Sequence, residues 1–271
     1  MDIETVKSLW KPHAGSTSAG IEWWNGKAEQ FSAMNLPTSE NSMGMRIIER
    51  EGIVFKGCSA LDVGCGGGRF SFALENMGAH VSATDFSSGM ICKAKENAAA
   101  SGSGVLFSND DWREVNLKDK GWEHKFDLVL ANMTPAVCSA DTFLKLSEAS
   151  RNWVLMVKPT RRDNSVLDNL LKLIGAQADT KALDETIVYA FALTWIAGFR
   201  PKLEYEDQVW ESNQPIQKAI EEYTLRIASM NDLTDAGKVK IREYLESIAD
   251  VEGNIHETTH TKIAAMYWQV A

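Results

Sequence analysis

The chain has 271 residues, with 28 Lys plus Arg against 37 Asp plus Glu and a formal net charge of −9. This length suits one large domain or one domain with an insertion, and the acidic balance disfavours a nucleic-acid backbone as partner. No run of about 18 apolar residues is present and Met1-Asp2-Ile3-Glu4 is unlike a signal peptide, so a soluble, cytoplasmic protein without a membrane partner is expected.

Residues 1–44 form an aromatic-rich arm carrying Trp10, His13, Trp23, Trp24 and Phe31. Amphipathic helical packing on the core is one reading, and a lid whose aromatic walls line a substrate pocket is the other; the two are compatible. Residues 60–70 then read Ala-Leu-Asp-Val-Gly-Cys-Gly-Gly-Gly-Arg-Phe. Leu61 and Val63 belong to a buried strand, Asp62 is an acid inside it, and Gly64, Gly66 and Gly68 form a tight turn before an apolar-periodic helix. Strand, turn and helix start in this order mark the place where open α/β sheets hold nucleotide-like ligands. The spacing is not that of a dinucleotide loop, because Arg69 stands where the third glycine of G-x-G-x-x-G belongs. NAD is therefore not expected to bind.

A second strand, His80–Phe86, ends at Asp85, about 20 residues beyond the first glycine, the spacing at which a carboxylate meets ribose hydroxyls. Ser87 or Ser88 then caps a helix. A third strand, 105–108, leads into Asn109-Asp110-Asp111-Trp112, and a fourth, 126–131, into Asn132-Met133-Thr134-Pro135. A fifth, 153–157, is expected to stop at Lys158-Pro159. Strands alternating with helical patterns imply a doubly wound parallel α/β sheet.

An acid two residues before G-x-G-x-G, followed by this ordered series over residues 45–160, resembles the class I S-adenosylmethionine (SAM) dependent methyltransferases. The resemblance implies SAM as cofactor. Gly64, Cys65, Gly66 and Gly68 would approach its methionyl portion, with Asp62 ordering the loop or meeting the ammonium group. Asp85 would bind the ribose. Phe86 and Met90 would pack on the adenine, and Asp111 with the backbone of Trp112 would read its edge, Asp110 being the adjacent candidate. Asn132 and Met133 would lie beside the sulfonium. Met133-Thr134 interrupt the Asn-Pro-Pro-aromatic pattern of DNA amino-group methylases, so no nucleobase acceptor is read.

Beyond the core, 161–176 looks helical, with Arg161-Arg162 read as solvated surface. Residues 184–198 are heavily apolar and stop at Gly198. Strand alternation follows over 201–210, then helices over 216–230 and 235–248, and a last strand over 259–270. The likeness implies a mostly parallel seven-stranded sheet with an antiparallel C-terminal edge strand, and a helical cap inserted at about 214–250 of a domain spanning 45–270.

His256-Glu257-Thr258-Thr259-His260 matches the zinc-protease pattern H-E-x-x-H, which needs a helix to bring both histidines to one metal. On a strand, residues four apart are separated by roughly 13 Å, so no metal site is expected. Cys58, Cys65, Cys92 and Cys138 show no C-x-x-C spacing. These readings lead to a SAM-dependent methyltransferase acting on a small molecule, with Trp10, His13, Trp23 and Trp24 as candidate substrate-binding residues. The alternatives are a SAM-binding sensor without transfer, and an RNA or protein methyltransferase. No catalytic base and no oligomeric state is assigned.

Overall fold

A computed structural model describes residues 2–10, 17–176, 180–229 and 231–270. Three helices come first, α1 (Ile3–Leu9), α2 (Thr17–Ser32) and α3 (Met43–Arg50). The alternating unit follows as β1 (Ser59–Val63), α4 (Arg69–Asn76), β2 (His80–Asp85), α5 (Ser88–Ser101), β3 (Leu106–Asn109), α6 (Leu117–Lys120), β4 (Phe126–Asn132), α7 (Ala140–Ala149) and β5 (Ser150–Asn164). The remainder is α8 (Ser165–Leu173), α9 (Thr180–Ile196), β6 (Lys202–Pro215), α10 (Ile216–Ala228), α11 (Asp235–Ile248) and β7 (Asn254–Gln269).

The sheet has seven strands in the order β3-β2-β1-β4-β5-β7-β6. β1 to β5 are mutually parallel, and β7 runs antiparallel to both β5 and β6. β7 therefore sits one place in from the edge, with β6 outermost. Residues of β1 and β4 are buried on both faces, as helix-covered parallel strands require. One face packs Leu61, Val63, Val129 and Ala131 on α7 and α9. The other packs Ala60, Leu128 and Leu130 with residues of α3, α4 and α5.

β5 corrects the expected stop at Lys158-Pro159. It continues to Asn164 because β7 offers a long antiparallel partner, pairing Asn164 with Thr259. Proline cannot donate to a ladder, and the register shifts between Pro159 and Arg161 as at a bulge. Thr160 Oγ1 donates to the Lys262 carbonyl at 3.0 Å across the irregularity. The helix expected from Arg161 thus starts at Ser165, where Asn164 Oδ1 accepts from Leu167 N–H at 2.9 Å as the N-cap. β6 and β7 also exceed their expected spans, pairing as far as Pro215 with Asn254.

α8, α10 and α11 close a separate small core through Val166, Leu170, Ile220, Tyr223, Ile227, Ile241 and Leu245. That core lets the segment between β6 and β7 bury its own apolar faces. Among the described residues no helix is long and apolar enough to cross a membrane.

Candidate cofactor and acceptor site

β1 delivers the glycine turn to the carboxyl end of the sheet, where the N–H groups of Gly64 and Cys65 both donate to the Thr84 carbonyl of β2, at 2.8 and 3.0 Å. Gly64, Gly66 and Gly68 all have positive φ, of 69°, 54° and 86°. At Gly64 a second constraint applies, since an added Cβ would lie 1.8 Å from Thr134 Oγ1. The glycine turn and the loop after β4 therefore touch. At Gly66 the nearest atom to an added Cβ is Met90 Sδ, at 3.8 Å, so the turn leaves room over the start of α5.

Asp85 closes this corner. Its Oδ2 accepts from Gly66 N–H at 2.9 Å and its Oδ1 from Ser87 N–H at 2.8 Å. A carboxylate has about four acceptor positions, so two remain after these bonds. Burial raises the Asp85 pKa, against the lowering effect of the two backbone donors. Asp62 lies deeper, 2 % exposed, and accepts from Ser71 Oγ at 2.6 Å. Burial, opposed by that hydrogen bond and reinforced by the nearby Asp85 charge, raises its pKa to about 7. Burial also pushes the Cys65 thiol well above its usual range.

Met90 is buried under the turn and Phe86 is half-buried beside it. Ser87 is the N-cap of α5, accepting from Met90 N–H at 3.1 Å. Asp110 is ion-paired with Lys120 at 2.7 Å, and Asp111 accepts from Arg113 Nε at 2.9 Å. Burial acts upward on both acids, yet these cations hold both below the usual carboxylate value. The Trp112 ring belongs to the core, with Nε1 donating to the Thr142 carbonyl at 2.9 Å, and its backbone carbonyl accepts from Lys145 Nζ at 2.8 Å.

Asn132 ends β4, and Met133 takes a left-handed conformation at φ 53° while donating from N–H to the Val157 carbonyl at 2.8 Å. A positive φ at methionine is an uncommon, strained state of the kind found at ligand sites. Asn132 Oδ1 would lie 3.5 Å from a Cβ added to Gly44, so the start of α3 abuts this end of the strand. Lys158 Nζ donates to the Val137 carbonyl at 2.7 Å and ties the same loop to β5; burial lowers its pKa to about 8.

α2 lies across the corner. Asn25 Oδ1 accepts from Gly89 N–H at 3.0 Å and from Ser87 Oγ at 2.7 Å, and Ser32 Cα would be 2.9 Å from a Cβ added to Gly67. Lys27 pairs with Glu222 of α10 at 2.6 Å. The Trp23 and Trp24 rings meet edge-on at 4.4 Å, with Trp24 also against Phe31. Trp23 Nε1 is buried and lacks a hydrogen-bond partner.

Trp10 is placed elsewhere, correcting its assignment to a pocket with these tryptophans. It is a core residue, packed on Phe143 at 5.4 Å and Tyr189 at 6.3 Å on the α7–α9 layer. His13 lies outside the described residues. His256 and His260 are both on β7, and His256 Nε2 is 2.7 Å from Asp250 Oδ2. No group of three or more His, Cys, Asp or Glu side chains suited to a metal ion occurs among the described residues.

Sequence reasoning missed Asn25, Ser71 and Thr134. Ser71, in the first turn of the helix after the glycines, is the member a polar residue at that position signalled. Asn25 and Thr134 reach the corner from distant segments, which no local pattern records.

Residues 55–173 match the family model of a methyltransferase domain. Among curated proteins, the chain is 34 % identical over 108 residues to the ubiquinone biosynthesis O-methyltransferase of Coxiella burnetii, covering 40 % of this chain and 42 % of that one. It is 29 % identical over 169 residues to the protein of the same name from Azorhizobium caulinodans, covering 58 % and 64 %. The chain thus spans well under two thirds of the length of the first of these relatives. A solved structure of Haemonchus contortus phosphoethanolamine N-methyltransferase 2, in complex with phosphomonomethylethanolamine and S-adenosylhomocysteine, matches with 16 % identity and a TM-score of 0.47 over 91 % of this chain and 57 % of that one.

Proposed function

We propose that the whole protein is a class I methyltransferase that transfers a methyl group from SAM to a small-molecule acceptor, a reading supported by the match of residues 55–173 to a methyltransferase domain. The observation that carries this reading is the joint held by Asp85. Its carboxylate bonds the turn after β1 through Gly66 and the start of α5 through Ser87, and keeps acceptor positions at the carboxyl ends of β1 and β2. That arrangement of acceptors fits SAM. Gly64, Cys65, Gly66 and Gly68 would border the methionyl arm, Asp62 would offset its ammonium charge, and Asp85 would accept from the ribose. Phe86 and Met90 would flank the adenine, with Asp110, Asp111 and Trp112 at its edge.

When bound, SAM supplies an electrophilic methyl group on a cationic sulfur. The work left to the chain is to hold the acceptor in line and to exclude water. Asn132 and Met133 would stand at the transfer point, held there by the Val157 carbonyl and by the Lys158 bond to the same loop. The 1–44 arm and the cap at about 214–250 would form the roof. The half-buried Lys27–Glu222 pair between α2 and α10 supports one roof rather than two independent segments, with Trp23 and Trp24 as its aromatic wall.

The acidic net charge and the names of the curated relatives support a small-molecule acceptor over nucleic acid. Titration calorimetry with SAM, S-adenosylhomocysteine and NAD tests the cofactor: the first two should bind and NAD should not. Labelled SAM with a metabolite library then tests transfer. Cofactor binding without label entering any small molecule would point to the sensor reading instead.

A further inference from the structure

The β5 extension brings Arg162 into a position that the sequence disguises as surface. Arg162 pairs across the sheet with Thr261, and Val157 with Ala265. Directly opposed residues share a face, and Thr261 and Ala265 are an even number of residues apart, so Arg162 and Val157 face the same side. The two rows are four β7 residues apart, roughly 13 Å along the strand. Val157 is the residue whose carbonyl holds Met133, so Arg162 stands about one small-molecule length from the end of β4.

The Arg162 guanidinium stacks on Trp210 of β6, with Cζ 5.0 Å from the ring centroid, and its Nε is buried with no hydrogen-bond partner. Burial, reinforced by the positive charge of Arg226 on α10, lowers its pKa to about 10. Among the described residues no carboxylate pairs with either arginine. Glu257, on this same face of β7, is already engaged by Tyr223 Oη, Asn164 Nδ2 and Thr259 Oγ1. A desolvated cation beside a second cation is costly unless an anion answers both. Stacking on a ring leaves the edge of the guanidinium fork open to a carboxylate or phosphate.

We propose that Arg162 and Arg226 form an anion subsite of the acceptor pocket, and that the methyl acceptor carries a carboxylate or phosphate group. The acceptor part rests on the methyltransferase reading; the anion site itself does not. The test is titration calorimetry with benzoate, phenyl phosphate and the neutral benzamide, run with and without S-adenosylhomocysteine. At least one of the two anions should bind and benzamide should not, and which anion binds separates carboxylate from phosphate. R162Q and R226Q should each weaken that binding by about tenfold or more, while R162K keeps part of it. Affinity for S-adenosylhomocysteine should stay the same in all three variants. If R162Q does not fold, R226Q carries the test, its side chain being half-buried on α10. Anions binding no better than benzamide, or keeping wild-type affinity in R162Q and R226Q, would overturn the proposal. Wild-type protein that binds the anion but not S-adenosylhomocysteine would instead refute the cofactor reading alone.

Discussion

Replacing Asp85 by alanine tests the corner on which the cofactor reading depends. The substitution removes acceptors from two backbone donors, Gly66 N–H and Ser87 N–H. Each unsatisfied buried donor costs about 1–3 kcal/mol, which sums to about 2–6 kcal/mol. Against this, the burial that raises the Asp85 pKa means the carboxylate itself is held at a cost, and its removal offsets part of the loss. The expected net destabilisation of the ligand-free protein is therefore near the low end, about 2 kcal/mol. Loss of hydrogen bonds to the ribose adds a separate fall in cofactor affinity of roughly tenfold to a hundredfold. Asp85→Asn retains one side-chain oxygen but places an amide against one of the two donors, so it should fall between wild type and alanine in both measurements. Thermal melts without ligand and calorimetry with S-adenosylhomocysteine read the two effects apart. Unchanged S-adenosylhomocysteine affinity in D85A, with a lowered melting temperature, would show that Asp85 only braces the turn. Unchanged values in both would refute the geometry as well.

Gly64→Ala should be more damaging than a glycine-to-alanine change in an ordinary turn, by about 2–5 kcal/mol, because it combines a positive φ with collision at Thr134; urea unfolding checks it. Asp62, with its pKa raised from 3.8 to about 7, favours the protonated form in the folded protein. Its contribution to ligand-free stability is thus full below about pH 3.8 and is lost as pH rises to about 7, a slope that Asp62→Asn should remove from melts taken across that range. Asn25→Ala should loosen α2 from the start of α5 by deleting the acceptor of Gly89 N–H and Ser87 Oγ, read as faster hydrogen exchange in residues 17–32 with the sheet unaffected. Alanine at Trp23 should raise the acceptor's KM with cofactor affinity unchanged, whereas alanine at Trp24, packed on Phe31, should mainly lower the melting temperature; identical effects from both would remove the aromatic-wall reading.

The chain by itself determined the alternating unit from β1 to β4, because each strand there is a short apolar run closed by glycine, Asx or serine chemistry that acts over a few residues. The Asp62–Gly68 turn, Asp85 and the Ser87 cap belong to that class, and all lie where the local pattern puts them. What only tertiary structure decided involves contacts between distant segments. β5 passes its proline and reaches Asn164 because β7, about a hundred residues later, supplies a continuous partner and Thr160 bridges the bulge. Pairing energy from that ladder outweighs the local helical pattern of 161–164, and it turns Arg162 from an apparent surface charge into a half-buried one, with its Nε buried, over Trp210. Trp10 and Trp23 look alike in the sequence, as tryptophans of one aromatic arm. Packing separates them, because α1 docks on the α7–α9 layer while α2 crosses the glycine turn, and periodicity within a helix does not specify which surface its apolar face will meet.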